Sequence, residues 1–191
     1  MNIEIKKGSV IVPLPKEQSY TIEDIYNLPE GERAELIDGQ FYYMAPPSTK
    51  HQRLVNYINT EINLYIRSKK GKCEVFPAPF AVFLNEDDKN YVEPDISIIC
   101  DKTKITEKGC VGAPDWIVEI VSPSSKRMDY YTKLFKYRTA GIREYWIVDL
   151  ERKNVMVYNF ENASVENYSF EDVIPAGLYT DFWINLSEVD I

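Results

Sequence analysis

The sequence predicts a mixed α/β fold of the α+β kind, a mixed β-sheet flanked by helices. Three observations predict it. Segments of helical period and segments of strand period interleave along the 191 residues. An Asp-Gly pair, Asp38-Gly39, stands between two runs of β-forming residues, the strongest short-range hairpin signal. A strand, a helix and a second strand follow one another between residues 115 and 149, the pattern of a right-handed crossover between parallel strands.

Residues 1–20 read as an irregular arm. Thr21 followed by Asp24 is a capping signal for a short helix through Leu28, which Pro29 and Gly31 end. The Asp38-Gly39 hairpin comes next. Ser48 or Thr49 then caps a helix running to about Arg67, with Leu54, Ile58, Ile62 and Tyr65 at helical spacing and Val55 and Ile66 beside them; Gly71 breaks it. Residues 73–84 read as a strand that Pro77 and Pro79 interrupt, so part of it is an edge or a bend. Residues 91–100 read as a second strand. Residues 115–121 are apolar except at Asp115 and Glu119, and Ser122-Pro123 ends that strand. Ser124 or Ser125 caps the next helix, which runs to Ala140 with Gly141 just beyond it. Residues 144–150 and 154–160 are two further strands, and the tail from Phe170 is irregular.

The length fits one domain over residues 1–191. Hydrophobic residues make up 45% of the chain, with 14 Tyr and 3 Trp, enough to bury a core and to exclude a disordered chain. No apolar run approaches the ~18 residues of a membrane span, and the N-terminal sequence lacks the apolar core of a secretory signal, so a cytoplasmic protein is expected. Cys73, Cys100 and Cys110 form an odd set with no zinc spacing, and idle thiols in a reducing compartment are the expectation. The only histidine is His51, which excludes a His-rich metal site. A catalytic metal would rest on carboxylates, which suits Mg²⁺ or Mn²⁺.

A net charge of −8 speaks against a nucleic-acid partner on bulk charge. Residues 126–143 run the other way, with Lys126, Arg127, Lys133, Lys136, Arg138 and Arg143 against the single acid Asp129. That stretch reads equally as a local polyanion-binding face or as a solvated helix face.

Two acids stand out. Glu119 sits inside the apolar run 116–121, where an ionised carboxylate is costly unless a cation or donors compensate it. Asp95 follows Pro94 at the start of the apolar run 96–100. If those strands are neighbours the two carboxylates converge, and two carboxylates are what Mg²⁺ takes from a protein. A structural ion pair at Glu119 explains the same residue.

Pro94-Asp95, then Glu119 to Ser124, then Lys133, Tyr137, Gly141 and Glu144 to Asp149, resemble the Uma-type restriction endonuclease family of the PD-(D/E)xK nuclease superfamily. Glu35 to Gly39, Met44 to Ser48 and His51 also fit, so the resemblance spans about residues 30–160. It implies a restriction endonuclease-like core, with Asp95 and Glu119 as metal ligands on adjacent strands and Glu35 as a third acid. Orthodox superfamily members carry a lysine two residues after the glutamate, where this chain has Val121. The resemblance moves that lysine to the following helix, as Lys133, to orient the attacking water or to stabilise negative charge. It implies a Mg²⁺- or Mn²⁺-dependent DNA endonuclease that leaves a 5′-phosphate and a 3′-hydroxyl. A homodimer follows by analogy with duplex-cutting nucleases. A nucleic-acid-binding or regulatory module of the same fold without turnover is the alternative.

Other residues carry two readings each. Glu35 reaches the site or only solvent. Asp38 belongs to the turn. His51 is structural or touches a phosphate or water, and Lys136 and Arg127 are further candidate substrate contacts. Tyr130, Tyr131 and Tyr137 pack or stack on bases, with Met128, Tyr131, Leu134 and Phe135 expected on the packed face. Ser122 to Ser125 has no evident base for a serine nucleophile.

Overall fold

A computed structural model describes residues 19–123 and 125–191. Most of the expected N-terminal arm, and Ser124 as a helix cap, lie outside the described residues. Thr21 and Asp24 form the expected capping box on α1 (Ile22–Tyr26). β1 (Ala34–Ile37) and β2 (Gln40–Tyr43) pair as a hairpin. Asp38 at φ 52° and Gly39 at φ 74° supply the two left-handed residues its two-residue turn demands. α2 (Thr49–Ser68) is capped by Ser48, whose Oγ accepts from the His51 amide at 3.2 Å, and it buries Leu54, Val55, Ile58, Ile62 and Ile66.

The stretch 73–84 divides at its prolines into β3 (Glu74–Pro77) and β4 (Val82–Phe83). The stretch 91–100 divides around Pro94 into β5 (Tyr91–Val92) and β6 (Ile96–Ile99). In each case the two pieces enter different sheets, where the sequence reads as one strand. Two short strands follow, β7 (Ile105–Thr106) and β8 (Gly109–Val111), then β9 (Trp116–Val121). The next helix opens with a π-helical stretch, Met128–Lys133, and continues as α3 (Leu134–Ala140), with Gly141 at φ 93° ending it. β10 (Glu144–Asp149), β11 (Asn154–Asn159) and β12 (Ser164–Ser169) form a meander, and β13 (Ile174–Pro175) with β14 (Trp183–Ile184) closes the chain.

One six-stranded sheet has the order β12-β11-β10-β9-β6-β3, with β9 and β10 parallel as the crossover requires. A second has the order β2-β1-β5-β4-β8-β7, and β13-β14 is a separate ribbon. Both six-stranded sheets are mixed. Side chains alternate across β9, so each face of the large sheet holds its own core. Trp116, Val118 and Ile120 pack with α2 and with Ile174, Phe182, Ile184 and Leu186 of the tail. Ile117 and Val121 pack with Tyr137, Tyr145, Ile147 and, from the small sheet, Ile37, Val82 and Val92. Glu119 lies on this second face, between the helix and the small sheet.

The thiol expectation needs correcting at two of three positions. Cys73 and Cys100 form a disulfide, while Cys110 is a buried free thiol. The β3–β6 register that pairs Glu74 with Ile99 sets Cys73 and Cys100 opposite each other, a long-range pairing that sequence spacing cannot show. Among the described residues no helix is long and apolar enough to cross a membrane.

Candidate functional site

The register of β6 against β9 brings the two acids together. Ile96 pairs with Val118, so the residues one step further out, Asp95 and Glu119, stand opposite each other. Directly opposed residues on neighbouring antiparallel strands have Cβ atoms about 4.5–5.5 Å apart. The small sheet and the helix then close over Glu119. Glu35 in β1 is buried, and Lys133 on the helix binds both its oxygens, at 2.9 and 2.8 Å. The same ammonium donates to Glu119 Oε1 at 2.9 Å, with Asp129 at 3.8 Å. Tyr137 donates its hydroxyl to Glu119 Oε1 at 2.7 Å.

Asp95 is held in a corresponding way. Its Oδ2 accepts from the Ile120 amide at 2.7 Å and lies 3.1 Å from His51 Nε2. Each carboxylate therefore has one oxygen taken up by two donors. The other oxygen is left less committed: among the described residues, Glu119 Oε2 has only a long 3.4 Å contact from the Asp95 amide.

Three buried acids, Glu35, Glu119 and Asp129, share Lys133, while the less buried Asp95 is paired with His51. Burial raises the Glu119 pKa, Lys133 pulls it down, and Asp129, Asp95 and Glu35 push it up again. Burial raises Asp129 in the same way, against Lys133. Burial alone would lower the Lys133 pKa, but Glu119, Glu35 and Asp129 override it and hold the ammonium well above its ordinary value. Lys133 is thus held as the ammonium by the acids around it. His51 is likewise held above its usual value by Asp95 against burial, and its Nδ1 is buried with no partner among the described residues.

Asp95, Glu119, Lys133, Glu35 and His51 are brought together here. Lys136 and Arg127 are not. Lys136 is paired with Asp38, and Arg127 is exposed on the outer side of the helix. Asp115 accepts from the Cys100 amide at 2.7 Å and pairs with Arg143, a structural role. Sequence reading missed Asp129, although its i,i+4 relation to Lys133 was a signal, and it saw Tyr137 only as packing or stacking. The helix face also differs: Tyr131 and Phe135 are exposed, and Asp129, Lys133 and Tyr137 point inward.

Whether these residues suit a divalent ion is a question of donor set and charge. Among the described residues, no three such side chains stand in a ready-made metal-ligating group. Mg²⁺ asks for less, since it keeps several waters and takes one or two carboxylates. Asp95 and Glu119 offer hard oxygen donors in a cluster of four acids against the two cations Lys133 and His51, and the fit is good.

Three comparisons bear on this geometry. The model of the Uma2 family, described as "Putative restriction endonuclease", matches residues 21–187. An uncharacterized protein of Synechocystis sp. is 25% identical over 129 residues, 67% of this chain and 66% of that protein, so the match spans just under two thirds of the relative's length. A crystal structure of a putative nuclease belonging to DUF820 from Anabaena variabilis superposes with a TM-score of 0.72 at 20% identity, covering 88% of this chain and 96% of that one. At that identity the likeness speaks for the fold.

Proposed function

The chain belongs to the Uma2 putative restriction endonuclease family, and from that premise we propose that it is a metal-dependent endonuclease hydrolysing DNA phosphodiester bonds. The observation that carries the reading is the cluster of four acids around two cations: Glu35, Glu119 and Asp129 on Lys133 and Asp95 on His51, with Asp95 and Glu119 each tied down at one oxygen. A cation near the less committed oxygens would offset that excess.

In this reading Asp95 and Glu119 hold Mg²⁺ or Mn²⁺. The chemistry such an ion supplies is activation of a water and screening of charge on the scissile phosphate. The chain's own residues do the rest. His51 and the Ile120 amide fix the Asp95 carboxylate, and Tyr137 and Lys133 fix that of Glu119. Lys133 supplies a positive charge that needs no reorganisation when negative charge builds on the phosphate. Glu35 anchors Lys133 from the small sheet. Attack by water with departure of the 3′ oxygen leaves a 5′-phosphate and a 3′-hydroxyl. Cutting both strands of a duplex calls for two such sites, so the proposal extends to a homodimer on its substrate.

Plasmid nicking tests the proposal. Purified protein is incubated with supercoiled DNA and Mg²⁺, Mn²⁺ or EDTA, beside Asp95→Ala prepared identically. The expected result is cutting that needs metal and is lost in Asp95→Ala. Equal cutting by the variant would overturn the assignment of Asp95, and no cutting of any DNA would leave the binding-module alternative in its place.

A further inference from the structure

The outer face of the site-bearing helix carries an unusual set of side chains. Tyr131 is 73% exposed and Phe135 is 64% exposed, four residues apart, with exposed Arg127 before them and exposed Arg138 after. The opposite face carries Asp129, Lys133 and Tyr137. The lysines of this segment are taken by the protein's own acids: Lys126 by Asp149 and Glu151, Lys133 by Glu35 and Glu119, Lys136 by Asp38. Arg127 and Arg138 make no ion pair with a described residue. The positive charge this helix offers to an outside partner is therefore carried by two arginines that bracket two exposed rings.

We infer that the Arg127–Tyr131–Phe135–Arg138 stripe binds an unpaired DNA strand, the rings stacking on bases and the guanidiniums taking phosphates. The inference rests on the nuclease reading for its substrate class and adds to it a contact for a stretch of unpaired strand. Two considerations select this occupant. Aromatic faces interleaved with cations are the composition of single-strand platforms, because every base has a face to stack. Spacing agrees: with part of the interval in the π-helical stretch, Tyr131 and Phe135 are about 5–6 Å apart along the axis, wider than the ~3.4 Å rise between stacked bases of a duplex. Each ring can thus take a separate, splayed base, which a closed duplex does not present. The chain's net charge of −8 also disfavours binding by phosphate attraction alone, so the rings matter more.

The test is fluorescence anisotropy in EDTA, so that nothing is cut, with a labelled oligothymidylate and a duplex of equal length. The wild type is expected to bind the single strand more tightly. Tyr131→Ala and Phe135→Ala each weaken single-strand binding about tenfold and leave the duplex nearly unaffected. Arg127→Gln with Arg138→Gln flattens the slope of log affinity against log salt by about 1.4. All four positions are exposed, and unchanged melting temperatures confirm folding. Single-strand affinity unchanged in Tyr131→Ala/Phe135→Ala would overturn the inference. So would equal weakening for both probes, or unchanged affinity with loss of self-association in sedimentation, which would make the stripe a contact between copies. Absence of plasmid cutting, by contrast, would bear on the nuclease reading and leave this binding result standing.

Discussion

Replacing Lys133 with methionine keeps most of the side-chain volume and removes the one lysine from a cluster of buried acids. The wild-type ammonium stands 2.8–2.9 Å from Glu35 and Glu119 and 3.8 Å from Asp129. At an effective dielectric of about 20, each of the two short contacts is worth about 6 kcal/mol of attraction before the desolvation of the lysine is subtracted. Removing one partner of such a buried arrangement costs about 3–5 kcal/mol net. In a chain this size each kcal/mol moves the melting temperature by about 2–4 °C, so a fall of about 6–20 °C is expected at pH 7.

The pH dependence identifies the cause. Without Lys133 the carboxyls of Glu119 and Asp129 have folded pKa values raised further above their unfolded ones. Such groups favour the folded state while protonated, so the variant keeps its stability at low pH and loses it as pH rises. Each carboxyl whose folded pKa rises further in the variant adds about 1.4 kcal/mol per pH unit to the deficit above its wild-type folded pKa, which burial pushes up to about 8 for Glu119. The deficit should therefore widen above pH 8 with about that slope. Urea unfolding of both proteins at pH 7, 8 and 9 measures this, and adding Glu119→Gln to Lys133→Met should recover part of the loss. A deficit under about 1 kcal/mol at pH 7, far short of a broken buried pair, or one that does not change with pH, would refute the reasoning.

Three further expectations follow from the structure. His51→Ala removes one of two donors on Asp95 Oδ2 and should weaken Mn²⁺ binding about tenfold, with His51→Gln recovering part of it, measured by calorimetry. Glu144 accepts from Trp146 Nε1 at 2.6 Å and from the Gly177 and Leu178 amides at 2.9 and 2.6 Å. Glu144→Leu orphans those donors and should cost about 2–4 kcal/mol, with faster hydrogen exchange at residues 177 and 178. Unfolded protein without reductant should show one reactive thiol, Cys110, and three after reduction. Closing a loop of 27 residues, the disulfide should contribute about 3–4 kcal/mol to stability in urea titrations with and without reductant.

The site was more legible in sequence than the fold around it. An acid at the start of one apolar strand and another inside a second announced themselves by the cost of burying charge, and the register of β6 on β9 unites them. Lys133 entered through family resemblance, since a lysine on a basic helix carries no signal of its own. The helix phase was misread for a physical reason. In an α-helix the apolar residues Met128, Tyr131, Leu134 and Phe135 are expected inside; Met128 and Leu134 do pack against the core, but Tyr131 and Phe135 are exposed. The π-helical stretch Met128–Lys133 places Asp129 and Lys133 inside, followed one turn later by Tyr137, where they satisfy each other and Glu119. Hydrophobicity ranks those residues as the outside face. Pro94 divides what reads as one strand between two sheets, a long-range outcome that local pattern does not contain. β12 (sequence SVENYS) lies on the edge of the large sheet with little buried surface, so it has no apolar alternation to find. The tail buries Ile174, Phe182, Ile184 and Leu186 from irregular backbone and short strands, where no period marks them.

Calorimetric titration of Mn²⁺ into the wild type and into Asp95→Asn/Glu119→Gln tests the central claim, that two carboxylates on neighbouring strands hold a divalent ion. The account predicts saturable binding by the wild type, competed by Mg²⁺ and absent from the double variant, with both proteins folded. Equal Mn²⁺ affinity in the two proteins, or none in either, would contradict it.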